Sequence, residues 1–195
     1  MRKQILCSVI LGLAALVPTG LNAQMGAMGD KPAMAMGTAV APAKVYGDLY
    51  KLVEAEIIGA AEAMPADKYD FAPAASMGKF DGVRTFGAQV QHLIGANYGF
   101  FSAFGAKPPK TRAEVMAMKT KEQLVQGLKD SFGWVNQQVA TITPENAFVT
   151  ISKEEEFGTR AGAATFCLAH ANDHYGQMVE YLRMNGIVPP ASVKQ

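Results

Sequence analysis

From Ala43 onward, apolar residues fall at Tyr46, Leu49, Tyr50, Val53, Ile57, Ala60 and Met64. That three-and-four spacing predicts a helix with one apolar face, ended by Pro65. A second helix is predicted from about Thr85 to Phe104, where Phe86, Val90, Leu93, Ile94 and Phe101 share a stripe and Gly105, Pro108 and Pro109 close it. The third begins at Thr120, which stands at capping-box spacing from Gln123, and runs through Leu124, Leu128, Phe132 and Val135 to about Val139. The fourth extends from about Arg160 to Met184, with Asn185-Gly186 as its stop and Pro189-Pro190 beyond. Four helices of about twenty residues, with no long strand pattern and no internal repeat, predict an all-α chain folded as a four-helix bundle. The connector between the first two helices, at about 20 residues, is longer than bundle connections usually are. It either crosses the bundle or covers one end.

The chain ahead of the first helix has another character. Arg2 and Lys3 precede an apolar run from Ile5 to Val17, then Pro18 and small residues up to Ala23. This is the layout of a cleavable signal peptide, too short in its apolar part to span a bilayer comfortably. Residues 1–23 are therefore expected to be removed, leaving a protein exported to the periplasm or secreted, with no membrane span in its mature form. Residues 24–42 are rich in Met, Ala and Gly without periodicity, and are expected to be a disordered spacer ahead of a bundle domain at 43–192. Met25, Met28, Met34 and Met36 admit a thioether copper site as an alternative to a plain flexible leader.

Loss of Arg2 and Lys3 takes the 18 Lys+Arg to 16 against 17 Asp+Glu. With that balance and no basic stripe, no nucleic-acid partner is expected. Of the two cysteines only Cys167 remains, so no internal disulfide can form and stability must come from packing. The acidic run Glu154, Glu155 and Glu156 is expected to be a solvated face.

Histidine is scarce, three residues in all, and two of them stand four apart in the fourth helix. Four residues turn a helix by about 400°, so His170 and His174 lie about 40° apart on one face. The same stripe carries Ala163, Cys167, Gln177 and Tyr181. Polar groups clustered on an inward face are costly unless they act together. His92, on the second helix, lies opposite the bulky stripe among Thr85, Ala88, Gln89, Gly95, Ala96 and Gly99, a small-residue face turned either to solvent or to a cavity. In the second case the three imidazoles can meet, a sufficient set for Zn²⁺, and for Ni²⁺ or Fe²⁺ with less selectivity. The alternative is a hydrogen-bonded core without metal.

The segments YDFAP, VRTFGAQVQHLIGANY at 83–98 and HANDHYGQMVEYLRMNGIVPP at 170–190 resemble the DinB-like (DNA-damage-inducible) proteins. One histidine on the second helix, HxxxHxGQ on the fourth and YLRxxG at its end match in order and spacing, and the likeness extends from about residue 44 to 192. The resemblance implies a four-helix bundle of DinB-like connectivity, often dimeric, with a divalent metal on His92, His170 and His174 and water completing the site. Gln177 matches the glutamine after HxG, as a support for a ligand, a substrate contact or a packing residue. Characterised relatives include metal-dependent thiol transferases, a thiol-using isomerase and proposed hydrolases. Export away from cytosolic thiols favours metal-activated water acting on a small-molecule substrate, hence a hydrolase, with a thiol transferase or a non-catalytic metal-binding or stress-related bundle as alternatives. Asp173 is expected on the surface or behind the ligands, Cys167 as core or a fourth ligand, and Tyr181 as core or a substrate contact.

Overall fold

The computed structural model describes residues 34–153 and 158–193. The segment expected to be a signal peptide (residues 1–23), Met25, Met28 and the acidic run at 154–156 lie outside the described residues. No helix among the described residues is long and apolar enough to cross a membrane.

From Ala39 on, the chain builds four long helices and one short one: α1 (Pro42–Ala63), α2 (Phe86–Ser102), α3 (Arg112–Met116), α4 (Lys121–Val139) and α5 (Arg160–Met184). Their ends follow from local chemistry. Pro42 occupies the first turn of α1, where a missing N–H costs nothing. Thr85, Thr120 and Thr159 each accept a backbone N–H at the start of α2, α4 and α5, and at α4 the Gln123 side chain returns the bond, completing the predicted capping box. At the end of α5, Gly186 takes a φ of +74° and Ile187 N–H reaches back to Leu182 O at 3.0 Å, the reverse turn that Asn185-Gly186 predicted.

The short helix α3 was not anticipated. Its signal was present as Thr111-Arg-Ala-Glu114, a second capping box in which Thr111 Oγ1 accepts the Glu114 N–H and the Glu114 carboxylate accepts the Thr111 N–H. A helix of five residues is too short for hydrophobic periodicity to register.

The packing partners define the connectivity. α1 packs on α4 and α5, and α2 packs on the same two, so α1 and α2 lie diagonally across the bundle. Lys121 at the start of α4 donates to Glu62 O and Met64 O at the end of α1, which sets those helices antiparallel. Tyr46 and Tyr50 donate to Ala161 O and Ala164 O, which sets α1 and α5 parallel. Asn97 meets Ser131, and Tyr98 and Phe101 meet Trp134, so α2 and α4 run the same way. The order is therefore up, down, down, up. All three connections must be long: the α1–α2 connector crosses one bundle diagonal, residues 103–120 return the full length of α2 with α3 on the way, and the α4–α5 connection joins the other diagonal pair.

The crossing connector is pinned rather than loose. Tyr69 donates to Ala61 O at 2.7 Å, the N–H groups of Phe86 and Gly87 bond Phe71 O and Tyr69 O, and Phe71 sets its ring edge-on to Tyr181. The N-terminus of α2 is thereby fixed against the C-terminal half of α5, which determines where His92 stands.

The core is the one the periodicity outlined. Tyr50, Ile57, Ala60, Met64, Phe86, Val90, Leu93, Ile94, Phe101, Leu128, Phe132 and Val135 are all fully buried. Leu49 departs from expectation: it is exposed, with Val45 and Leu52, on the outer side of α1.

Candidate functional site

Three histidines on two antiparallel helices converge. One ring nitrogen from each of His92, His170 and His174 lies within 4.8 Å of the others. His92 Nε2 and His170 Nε2 are 3.0 Å apart, and the His174 ring stands 4.5 Å from that of His170 and 4.7 Å from that of His92, centre to centre. The two residues four apart on α5 thus share a face, and the small-residue face of α2 brings His92 to them.

Behind the histidines runs a hydrogen-bonded chain whose polarity is fixed from its far end. Asp173 is acceptor-only when ionised, so Gln177 must offer it Nε2–H, at 2.9 Å. Gln177 then turns Oε1 to Gln89, which donates its own Nε2–H at 2.6 Å. Gln89 Oε1 is left facing His174 Nδ1 at 2.5 Å, so that nitrogen carries the proton. His174 is therefore held as the Nδ1–H tautomer with its Nε2 lone pair free. The aligned amide dipoles place their negative end against the imidazole and raise its basicity as a ligand.

Sequence reasoning named Gln177 and Asp173 but missed Gln89, the middle link. Gln89 is 1 % exposed, and a fully buried amide is the kind of group that must have a partner. Its position three residues before His92 on the small-residue face was the available signal.

The donor set fits a divalent metal. Two imidazole nitrogens facing one another at 3.0 Å must share either a proton or a cation, since two lone pairs repel. A third lone pair from His174 gives a triad of neutral nitrogen donors with no carboxylate or thiolate among the converging atoms. That set suits Zn²⁺, Ni²⁺ or Fe²⁺ and leaves coordination positions open.

Burial keeps the imidazoles neutral. It pushes His92 and His174 down to about 4 from an ordinary 6.5, with Arg84 adding to the effect at His92 and the other two histidines at His174. His170 is lowered too, chiefly by burial, which outweighs the opposing pull of Asp173; Arg84 adds a smaller push downward. With the folded pKa below the unfolded one, the unfolded chain binds more protons between the two. The metal-free protein is therefore expected to keep this contribution fully above pH 6.5 and to lose it as pH falls towards about 4. Thermal melts across that range check it, with a His174→Leu variant expected to flatten the slope; a melting temperature independent of pH would contradict it.

The other candidates lie apart. Cys167 is buried with its thiol directed at Asn97 Oδ1, 3.6 Å away, and burial pushes its pKa up to about 12. It is a core residue and stands outside the histidine cluster, so the fourth-ligand expectation is not met. Tyr181 donates to Arg84 O at 3.1 Å and packs on Phe71, which makes it a tie to the crossing connector rather than a wall of the cavity.

His92 and His170 open onto a pocket of about 720 Å³ between α2 and the returning segment that carries α3. Gln91 ties the end of that segment by donating to Val115 O and Met118 O. The pocket exists because α2 presents Ala88, Gly95, Ala96 and Gly99 to it. A Cβ added at Gly95 or Gly99 would meet no atom within 4 Å. Gly95→Ala and Gly99→Ala are expected to stabilise the fold by roughly 0.5–1 kcal/mol each, the usual helix preference for alanine, while narrowing the cavity. A rise in the urea midpoint with unchanged m value checks this.

These features define a class: an all-α bundle with a three-histidine centre, beside a pocket, suited to a divalent metal. The chain belongs to the DinB superfamily, whose match covers residues 49–178 and includes all three histidines. A comparison with curated proteins gives no match.

Proposed function

We propose that the mature protein is an exported, divalent-metal-dependent hydrolase of a small molecule. The observation that carries this reading is the convergence of three neutral imidazoles, two of which, His92 and His170, form the wall of a pocket large enough for a substrate. A divalent metal bound by His92, His170 and His174 would supply Lewis-acid chemistry, polarising a substrate oxygen and acidifying water near neutral pH.

The chain's own residues do the rest. The Gln89, Gln177 and Asp173 chain holds His174 in the ligating tautomer. Gly95, one turn from His92, leaves space beside it for the reacting group, and Gly99 leaves space further along the pocket. Arg84, which lines the pocket and whose charge is felt at all three histidines, faces the negative charge that builds on a carbonyl or phosphoryl oxygen during hydrolysis. The signal-peptide pattern at residues 1–23 supports export, and export from a thiol-rich cytosol favours water over a thiol as the nucleophile.

The test uses mature protein without a histidine tag, loaded in turn with Zn²⁺, Ni²⁺ and Fe²⁺ and offered ester, amide and phosphoester substrates with and without a low-molecular-weight thiol. Metal-dependent turnover that needs no thiol is expected. Turnover only with the thiol would replace the hydrolase by a transferase, and none with any metal would leave a binding protein.

A further inference from the structure

The pocket extends along α2 away from the histidines, and its floor there is made of small residues. At about 100° per residue, Ala96 and Gly99 point within about 40° and 20° of His92, one and two turns further on, and Gly95 lies about 60° to one side. All three line the pocket, and a Cβ added at either glycine would meet no atom within 4 Å. The floor is therefore an open track that starts at His92 and reaches Gly99 about 10 Å away.

Both sides of the track are apolar. Phe100, on the side of α5, sets its ring 5.4 Å from that of His170, centre to centre, so this wall begins at the histidines themselves. On the other side stand Val115 and Met116 of α3, held by the Gln91 amide through Val115 O. Met116 is half-exposed and lines the cavity, so apolar surface is left for a ligand to cover. The polar groups along this stretch are already engaged. Gln91 donates to Val115 O and Met118 O, Ser102 donates to Tyr98 O, and the Thr111 hydroxyl is bonded to Glu114. A polar group laid on the track would lose water without gaining a partner, whereas a methylene gains by leaving water.

We propose that the track binds an unbranched acyl or alkyl chain, and that the substrate carries such a chain with its reacting group at the histidines. An extended chain of about 1.5 Å C–C bonds advances about 1.25 Å per carbon, so about eight carbons fill the track. The glycines and Ala96 let the chain lie close to the helix, Phe100 and Val115 bound it sideways, and the 720 Å³ of the pocket leave room for the head group. The proposal rests on the pocket being the substrate site and names the class of molecule that enters it.

The test is calorimetric titration of metal-free protein with 1-alkanols from butanol to undecanol, neutral probes whose binding stands apart from metal chemistry. Affinity is expected to rise about fourfold per methylene and to level off near octanol, where further carbons pass the end of the track. Gly99→Leu places its side chain in open space and is expected to fold. It should move the break to about four or five carbons and weaken octanol at least about tenfold while sparing butanol. Gly133→Leu on α4 is the control, because its Cβ also meets no atom within 4 Å but lies outside the pocket; the series should be unchanged. No binding of octanol, an affinity that keeps rising to undecanol, a break that Gly99→Leu leaves in place, or one that Gly133→Leu moves equally each overturns the proposal. Zinc titration of the same proteins keeps the two readings apart. Zinc binding without a chain-length break overturns the chain site alone, and a break without zinc binding upholds the chain site and overturns the metal centre.

Discussion

His174→Ala is expected to strip the protein of divalent metal. Wild-type protein should hold about one equivalent, as a single three-histidine centre requires. The variant should bind with affinity lower by more than about a hundredfold, the loss that removing a mere support for a ligand can reach. His174 suffers most among the three because its nitrogen is the one whose tautomer is dictated from behind. Its removal leaves two imidazoles, and also leaves Gln89 Oε1 facing a void. His170→Ala provides the comparison: His170 Nδ1 has no partner among the described residues, so its truncation removes a ligand and the contact with His92 Nε2 but leaves the chain behind His174 intact. Both variants should lose metal, and the His174 variant should also melt lower in the metal-free state. Metal content by elemental analysis and melting with and without Zn²⁺ decide the matter. In the wild type, Zn²⁺ at a hundred times its dissociation constant should add about 2.7 kcal/mol of stability. If Zn²⁺, Ni²⁺ and Fe²⁺ all leave the wild-type melting temperature unmoved, the three histidines are a hydrogen-bonded cluster and no more.

What was legible in the sequence was local. Caps, stops and helical period depend on residues within one or two turns, so the Thr120 cap, the Asn185-Gly186 stop and four of the five helices could be assigned in advance. The convergence of His170 and His174 follows from the pitch of one helix. Their meeting with His92 depends on which way α2 runs and which helices flank it, and these are set by the crossing connector through Tyr69 and Phe71. No period encodes that. The small-residue face of α2 left open whether solvent or a cavity lay beside it. The cavity wins because the returning segment with α3, itself too short to be seen by its period, closes over that face. Leu49 shows the same limit from the other side: it keeps the spacing of the buried stripe but is exposed among the described residues.

Gln89 is the residue in which local and tertiary information separate most, and its replacement is expected to have the second-largest effect. Gln89→Leu keeps the volume roughly and removes both polar contacts. His174 Nδ1–H and Gln177 Oε1 then lose their partners, at about 1–3 kcal/mol for each group left buried and unpaired. The imidazole, freed from its acceptor, can take either tautomer and rotate, and metal affinity is expected to fall by about 10–100-fold. Gln89→Glu separates position from packing. Its carboxylate still accepts the His174 proton, and the Gln177 amide can turn to donate to it, so the ligating tautomer survives. Metal affinity in that variant is expected to equal or exceed that of wild type, because a carboxylate behind an imidazole makes it the stronger base. Competition against a chelator of known affinity measures both, and urea melts of the metal-free proteins report the stability change separately. If Gln89→Leu binds metal as tightly as wild type, the chain from Asp173 to His174 is ordinary packing between α2 and α5. If Gln89→Leu and Gln89→Glu weaken binding equally, shape rather than the fixed proton is what the glutamine provides.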